Sequence, residues 1–131
     1  MVSVPVICIV HDAFMTSLRL VGYWDGLFPD VHDLVDHEWS EDERDAVSQS
    51  IAAGTMARVF MGYSTCRFCG VSNGYAEFTD GTYIWPQGLQ HYVDEHGVRL
   101  PREFVDHAVR RLRELEDATI DDAWWRSRPP T

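Results

Sequence analysis

The feature that most constrains this chain is a pair of cysteines followed by a pair of histidines. Two residues separate Cys66 from Cys69, and four separate His91 from His96. Zinc prefers thiolate and imidazole ligands in a tetrahedral arrangement, and four protein ligands are typical of structural sites. The sequence therefore predicts a Zn²⁺ ion bound by these four side chains, with the rest of the fold assembled on it.

The histidine end of this ligand set is geometrically demanding. Residues five apart on an ideal helix point about 140° away from each other, so His91 and His96 need a distortion to face one ion. Gly97 follows directly and allows the helix to unwind at His96. His107 is the alternative fourth ligand. The alternative to a metal site is that Cys66 and Cys69 are free thiols or form a local disulfide.

The segments after the cysteines favour a hairpin followed by a helix. Residues 75–78 and 82–85 flank Asp80-Gly81, which is a strong hairpin signal. Pro86 is typical of the first position of a helix, and Gly97 of the residue just past its end. A cysteine pair, a hairpin and then a helix therefore follow one another in the predicted order.

This order resembles the treble-clef zinc motif. The resemblance implies that the helix after the hairpin supplies the other two ligands. Treble-clef helices usually supply both from the first turn, whereas the helix predicted to begin at Pro86 has His91 in its second turn and His96 at its end.

The stretch from Gly62 to Pro101, about a third of the chain, contains a distinctive motif. It reads Gly-x-Ser-x-Cys-Arg-x-Cys-Gly-x-x-Asn-Gly, followed by Thr-Asp-Gly-x-Tyr-x-Trp-Pro-x-Gly-Leu-x-His-Tyr-Val-x-x-His-x-Val-x-Leu-Pro. The motif resembles that of a family of small bacterial proteins. The resemblance supports the boundaries of the site and implies no particular chemistry.

The segments before the cysteines predict a strand, a loop, a helix and a second strand. Residues 2–10 are rich in Val and Ile and contain Cys8, which we expect to be a small buried hydrophobe. His11 and Asp12 favour a turn at the end of this strand. Turn residues predict an extended loop over 22–38. A helix should follow to about Ala53, and alternation over 56–64 predicts a strand.

The start of the first helix has a capping-box pattern. Ser40 is expected to cap backbone N–H groups while Glu43 reaches back to the serine. Gly54 should end the helix, with Val47 and Ile51 facing inward.

The last third of the chain predicts one long amphipathic helix and a tail. Pro101 should open the helix, and Trp124 and Trp125 are expected to fold back on the domain. The helix has one apolar stripe, which we expect in the core. Its members are Phe104, Val105, Ala108, Val109, Leu112 and Leu115.

These elements indicate an α+β protein with a small antiparallel sheet, about three helices and a treble-clef-like hairpin–helix unit. At 131 residues we expect one domain. Its parts are the strand, loop and helix of 1–54, the zinc-binding hairpin and helix of 55–100, and the helix and tail of 101–131.

The charge pattern bears on the partners of the chain. The net charge is −10, and every basic residue is an arginine, as is typical of bacteria with GC-rich genomes. Residues 25–45 contain nine acidic residues against one arginine, whereas 99–113 contain five arginines against two acidic residues. A net-acidic surface disfavours nucleic acid. We expect the two segments to be solvated and to neutralise each other in part; the alternative is that 25–45 binds a basic protein.

No stretch approaches the ~20 apolar residues of a membrane span. The first ten residues have no basic start and are interrupted by Pro5, so we expect a strand rather than a signal peptide. A cytoplasmic location follows as the expectation. Thiols stay reduced there, which favours metal ligation by the cysteine pair over a disulfide.

Two functions fit this sequence. One is a protein-interaction or regulatory module with a structural zinc. The other is a small zinc enzyme acting on a polar small molecule or peptide, with water at an open metal position and Glu95, Asp94 or Asp80 as the general base. The metalloprotease motif H-E-x-x-H is absent from the sequence, and the deaminase H-x-E does not precede the cysteine pair.

Overall fold

The computed structural model describes residues 17–24 and 30–130. The predicted strand over 2–10, with Cys8, lies outside these residues. So do the predicted turn at His11 and Asp12 and the turn signals at 25–29.

The chain has the α+β architecture that the sequence predicts. Its strands are β1 (Arg19–Leu20), β2 (Thr55–Val59), β3 (Ala76–Thr79) and β4 (Tyr83–Pro86). Its α-helices are α1 (Glu41–Ala52), α2 (Leu89–His96), α3 (Arg102–Asp117) and α4 (Asp122–Arg126). A 3-10 helix, Val31–Leu34, interrupts the predicted loop over 22–38. In the described residues, no helix is long and apolar enough to cross a membrane.

The four strands form one mixed sheet in the order β1-β4-β3-β2. The prediction of an antiparallel sheet is correct for β2, β3 and β4 but wrong for β1, which is parallel to β4. The long connection between β1 and β4 contains α1 and two other strands. A connection of this length allows parallel pairing, which a short turn does not.

The predicted hairpin is confirmed. Phe78 pairs with Trp85, and Thr79 pairs with Ile84. The Asp80 carboxylate accepts the backbone N–H groups of Thr82 at 2.9 Å and Tyr83 at 2.8 Å. The aspartate of the turn therefore satisfies two N–H groups that the short ladder leaves unpaired.

Strand β2 is shorter than predicted. It ends at Val59, and its pairing with β3 is irregular between Met56 and Arg58. All five of its residues are exposed. Beyond the strand, Phe60 still donates its N–H to the carbonyl of Tyr75, and the chain then enters the loop that contains the cysteines.

Helix α1 begins and ends as predicted, but its capping box is only half formed. The Ser40 hydroxyl accepts the N–H of Glu43 at 3.4 Å. The Glu43 carboxylate accepts from the Trp39 indole at 2.8 Å and from Arg102 at 2.9 Å, so it binds the neighbouring helix rather than reaching back to Ser40. Charged partners bind a carboxylate more strongly than a backbone N–H does.

Helix α2 begins later than predicted. Pro86 is the last residue of β4 and lies opposite Glu77, and the helix starts at Leu89. The N–H of Gln87 still bonds to the carbonyl of Ala76, which keeps the chain in the sheet past the proline. The predicted end is confirmed, because Gly97 adopts the left-handed conformation with φ 62°.

Helix α3 buries only the first part of its apolar stripe. Phe104, Val105 and Ala108 are buried, but Leu115 is 67% exposed, contrary to the prediction. The helix packs on α1. Sixteen residues span about 24 Å and the twelve of α1 about 18 Å, so the end of α3 extends beyond its partner.

The tryptophans of the tail do not fold back, which corrects the prediction. Trp124 and Trp125 are 57% and 73% exposed, and no residue of α4 is buried. The contacts of this short helix are local. Asp121 caps it, and the Arg128 guanidinium lies 5.1 Å from the ring centroid of Trp124.

The core lies between the sheet and the first three helices. It is built mainly from buried side chains of β4, α1, α2 and α3, and its largest fully buried members are Trp85 and Phe104. Val47 and Ile51 of α1 are buried in it, as predicted.

The predicted neutralisation between the acidic and basic segments is confirmed in part. Arg99 binds Asp36 at 2.7 Å, and Arg102 binds Glu43 at 2.9 Å. Arg99 also lies 3.6 Å from Glu43. These pairs join the loop and the start of α1 to the chain just before and within α3.

A buried hydrogen bond between two side chains joins the hairpin turn to α3. His107 Nε2 lies 2.8 Å from Asp80 Oδ2, and both side chains are largely buried. Burial alone raises the pKa of Asp80, but the N–H groups of Tyr83 and Thr82 and the His107 ring outweigh it. Together they hold the pKa of Asp80 below its usual value.

We expect Asp80→Asn to lower the free energy of unfolding by about 1–3 kcal/mol at pH 7, because the bonds to a buried charge are weakened. The folded-state pKa lies below the unfolded value of about 3.9. This stabilisation is therefore complete above the unfolded pKa and is lost as the pH falls through the folded pKa.

Urea unfolding at pH 7 and at pH values below the unfolded pKa should show the difference between wild type and Asp80→Asn shrinking in acid. Asp45→Asn is the matched control, since Asp45 is exposed on α1 and has no salt bridge within the described ranges. A difference that stays constant with pH would contradict the assignment.

Candidate metal centre

The two cysteines lie in a tight turn at the tip of a small hairpin. Ser64 and Gly74 lie at its base, joined by a hydrogen bond from the N–H of Ser64 to the carbonyl of Gly74. Nearer the tip, Thr65 and Ser72 form an isolated antiparallel bridge. Within the turn, the N–H of Phe68 points at Cys66 Sγ at 3.4 Å. An N–H group aimed at sulfur stabilises the thiolate form that binds metals.

The two histidines come from opposite ends of α2. His91 is the third residue of the helix and so lies in its first turn, not in the second as predicted. His96 is the last residue of the helix, directly before the left-handed Gly97. The two Nε2 atoms are 3.2 Å apart although the residues are five positions apart in sequence. Because the helix ends at His96, the two rings approach each other despite the wide angle expected between residues five apart on an ideal helix.

The four predicted ligands form one group. One donor atom from each of Cys66, Cys69, His91 and His96 lies within 4.8 Å of the others. Cys69 Sγ is 3.4 Å from His91 Nε2. For zinc–ligand bonds of about 2.3 Å to sulfur and about 2.0 Å to nitrogen, tetrahedral edges are roughly 3.3 Å between nitrogens and roughly 3.5 Å between nitrogen and sulfur. The group therefore has the dimensions to bind a metal ion.

The group lies at the border between core and solvent. Cys66 is buried, Cys69 is exposed, and the two histidines are half-buried. Burial, reinforced by the neighbouring His91, holds the pKa of His96 below its usual value. The neutral imidazole favoured in this way is the form that binds metals.

Aromatic side chains around the group hold its members in place. The Phe68 ring stacks on His96 with 4.5 Å between centroids and packs against His32 at 4.4 Å. The Tyr92 hydroxyl accepts the backbone N–H of Arg67 at 3.0 Å and so ties the cysteine turn to α2. Neighbours of this kind orient metal ligands. Phe68 was not among the predicted site residues, although its position between the two cysteines was a signal.

A close contact between Asn73 and Gly88 sets the distance between the hairpin and the start of α2. A Cβ atom at Gly88 would lie 2.1 Å from the side-chain carbon of Asn73. Only glycine allows this approach. Both residues belong to the sequence motif, but their contact was not predicted.

The alternative ligand and one candidate base lie elsewhere. His107 and Asp80 bind each other, and neither belongs to the group of four. The other two candidate bases, Asp94 and Glu95, are exposed on α2. With His91 they line an open cleft of about 420 Å³ beside the group.

Comparisons with models of known protein families, with curated proteins and with solved structures find no match to this chain. The resemblance of the motif to a family of small bacterial proteins therefore stays a prediction, and so does the resemblance to the treble clef. The assignment of function rests on the geometry of the group.

We expect the wild type to bind one Co²⁺ ion per chain with the absorption of a tetrahedral site that has two thiolates. His96→Gln should weaken the binding by at least about tenfold, because one of four donors is lost. Cobalt titration followed by absorption spectroscopy measures both quantities.

His37→Gln is the matched control for this titration. His37 is exposed and lies outside the group of four, so its replacement should leave the cobalt affinity unchanged. Equal losses in the two variants would show that His96 is not a ligand.

Proposed function

We propose that this chain is a zinc-binding protein in which a Cys2His2 centre joins the cysteine hairpin to helix α2. One observation carries the proposal: four donor atoms from two separate elements converge within 4.8 Å. Two of these donors, Cys69 Sγ and His91 Nε2, belong to residues 22 positions apart in the chain.

The chemistry of the donors favours zinc over the other abundant divalent ions. Magnesium and calcium prefer oxygen ligands, and this set contains two sulfur and two nitrogen donors. A tetrahedral set with two thiolates and two imidazoles is characteristic of structural zinc. Zinc is accordingly the ion that we assign to the centre.

Burial supports a structural role for the metal. Between Phe60 and Ser72, Cys66 is the only buried residue, and Phe68 is half-buried. Such a segment buries too little apolar surface to hold itself in place. Metal binding provides the missing free energy, because a metal bound only by the folded chain stabilises that fold.

The enzyme alternative needs an open coordination position for water. Four protein donors complete a tetrahedral set, which supports the structural role. Asp94 and Glu95 beside His91 are the candidate bases if one donor is displaced.

A groove between α1 and α3 supports the further proposal of a basic protein partner. Its volume is about 510 Å³, and Val109 and Leu112 contribute apolar surface. The carboxylates of Asp42, Asp45 and Glu116 surround this surface, together with Arg113. Apolar surface within an acidic rim complements an amphipathic segment rich in Arg and Lys.

We expect chelation of the metal to unfold at least the cysteine hairpin and α2. The apparent free energy of zinc binding in small zinc modules is about 10–16 kcal/mol, comparable with the total stability of a domain. Native mass spectrometry should find one zinc per chain. Hydrogen exchange should show loss of protection at residues 64–74 and 89–97 after chelation.

Excess zinc should restore the wild type after chelation but should not restore Cys69→Ser to the same melting temperature. A chelated protein with unchanged exchange and unchanged melting temperature would contradict a structural metal. A fully folded protein with a three-ligand site and a bound water would favour the enzyme.

We expect an amphipathic peptide rich in Arg and Lys to shift the NMR signals of α1 and α3. The double variant Asp42→Asn/Asp45→Asn should weaken this binding by about tenfold, because the groove loses two charges. Asp94→Asn/Glu95→Gln removes the same charge on α2 and is the matched control. Equal weakening by both double variants would indicate long-range attraction without a docking groove.

A further inference from the structure

A second pocket lies next to the cysteine turn, between the segment after β1 and the start of α2. Trp24, Arg67, Asn73 and Tyr92 are among the residues that line it, and its volume is about 350 Å³. Pockets for small molecules commonly have volumes from about 300 to 1,000 Å³. We call this cavity the Trp24 pocket, and it is separate from the cleft beside His91.

Trp24, one of the residues that line the pocket, contains a hydrogen-bond donor without an acceptor. Trp24 Nε1 is buried and has no hydrogen-bond partner among the residues that the structure describes. Buried donors in folded proteins are nearly always paired, because an unpaired donor has lost its water without replacement. The atom has almost no accessible surface, so an acceptor atom supplied by a ligand would satisfy it once the indole ring turns toward the pocket.

One basic side chain contributes charge to the Trp24 pocket. Among the described residues, Arg67 is the only charged one that lines it. In residues 17–24 and 30–130, Arg67 forms no salt bridge, although its charge contributes to lowering the pKa of Asp30. Its backbone N–H is bound to the Tyr92 hydroxyl, which fixes the chain at this position. An arginine free of carboxylate partners is a receptor for oxyanions.

Three aromatic side chains form part of the wall. The Trp24 and Tyr92 rings meet edge to face with 6.0 Å between centroids, and Tyr23 lines the pocket beside them. Tyr23 is held in place because its hydroxyl donates to the buried Glu77. Surfaces of this kind bind the flat apolar body of a small molecule.

We propose that the Trp24 pocket binds a small organic anion, whose carboxylate or phosphate oxygen accepts from Trp24 Nε1 and pairs with Arg67. The apolar body of the ligand lies against the aromatic wall. Asn73 contributes an amide at the rim, held in place by its contact with Gly88. This inference concerns a site beside the metal centre and does not depend on which ion the centre binds.

The test uses the full chain as purified and three probes that resemble one another in shape. Benzoate and phenyl phosphate offer the two oxyanion chemistries, and benzamidine offers the same ring with a positive charge. The indole N–H signal of Trp24, identified by its loss in Trp24→Phe, is followed by ¹H–¹⁵N NMR. Zinc content is measured on the same sample, so failure of the pocket and failure of the metal centre are distinguished.

We expect benzoate or phenyl phosphate to shift the Trp24 indole signal and benzamidine to leave it in place. The stronger of the two anions identifies the head group. Arg67→Gln should weaken binding of that anion by about tenfold, and Trp24→Phe, which keeps a ring but removes the N–H, should weaken it severalfold. Arg111→Gln removes the same charge from the exposed face of α3 and should leave the affinity unchanged.

Three results would overturn the proposal. The first is no shift of the Trp24 indole by either anion at millimolar concentrations in a chain that retains its metal. The second is an equal shift by benzamidine, which would show that charge plays no part. The third is equal weakening by Arg67→Gln and Arg111→Gln, which would show attraction by net charge alone. Dispersed NMR spectra of the variants establish that each is folded.

Discussion

The candidate site depends on the convergence of four candidate metal ligands, two cysteines and two histidines, at the border between the core and an exposed loop. In the hairpin that carries Cys66 and Cys69, only Cys66 and Asn73 are buried, whereas α2, which carries His91 and His96, buries three of its eight residues. A metal ion bound by all four donors would join these two elements and transfer the order of the helix to the hairpin. Three other contacts between them are the bond from the Arg67 N–H to the Tyr92 hydroxyl, the stacking of Phe68 on His96 and the approach of Asn73 to Gly88.

Helix α2 links the candidate metal centre to the core because its two faces make different contacts. Leu89 and Val93 are fully buried against the sheet and the other helices. The two histidines lie on the side that faces the cysteine turn. In a helix of only eight residues, the position of one face determines that of the other, so the packing around Trp85 also positions the ligands. The Trp24 pocket lies beside the contact between α2 and the cysteine turn. Tyr92 lines this pocket, and its hydroxyl accepts the backbone N–H of Arg67.

Features set by a few neighbouring residues could be predicted from the sequence. The Asp80-Gly81 turn, the Ser40 cap and the end of α2 at Gly97 each depend on local backbone chemistry, and each is confirmed. Features that depend on what packs nearby were predicted less well. Pro86 is compatible with a helix start, but pairing with β3 keeps it in the sheet. Leu115 fits an apolar stripe, yet within the described part of the chain no partner helix reaches it and no surface covers the Trp124–Trp125 pair.

For the candidate site, the sequence by itself determined the identity of the donors, because thiolate and imidazole side chains at these spacings have few other shared uses. Only the tertiary structure decided that all four meet. The angle between His91 and His96 depends on where α2 begins and ends, and the distance to the cysteines depends on the Asn73–Gly88 contact. The pairing of His107 with Asp80, which removes both from the site, likewise depends on the packing of α3 against the hairpin. The sequence shows the spacing of ligands that are close along the chain. Only the packing of the core brings ligands that are distant in sequence to one place.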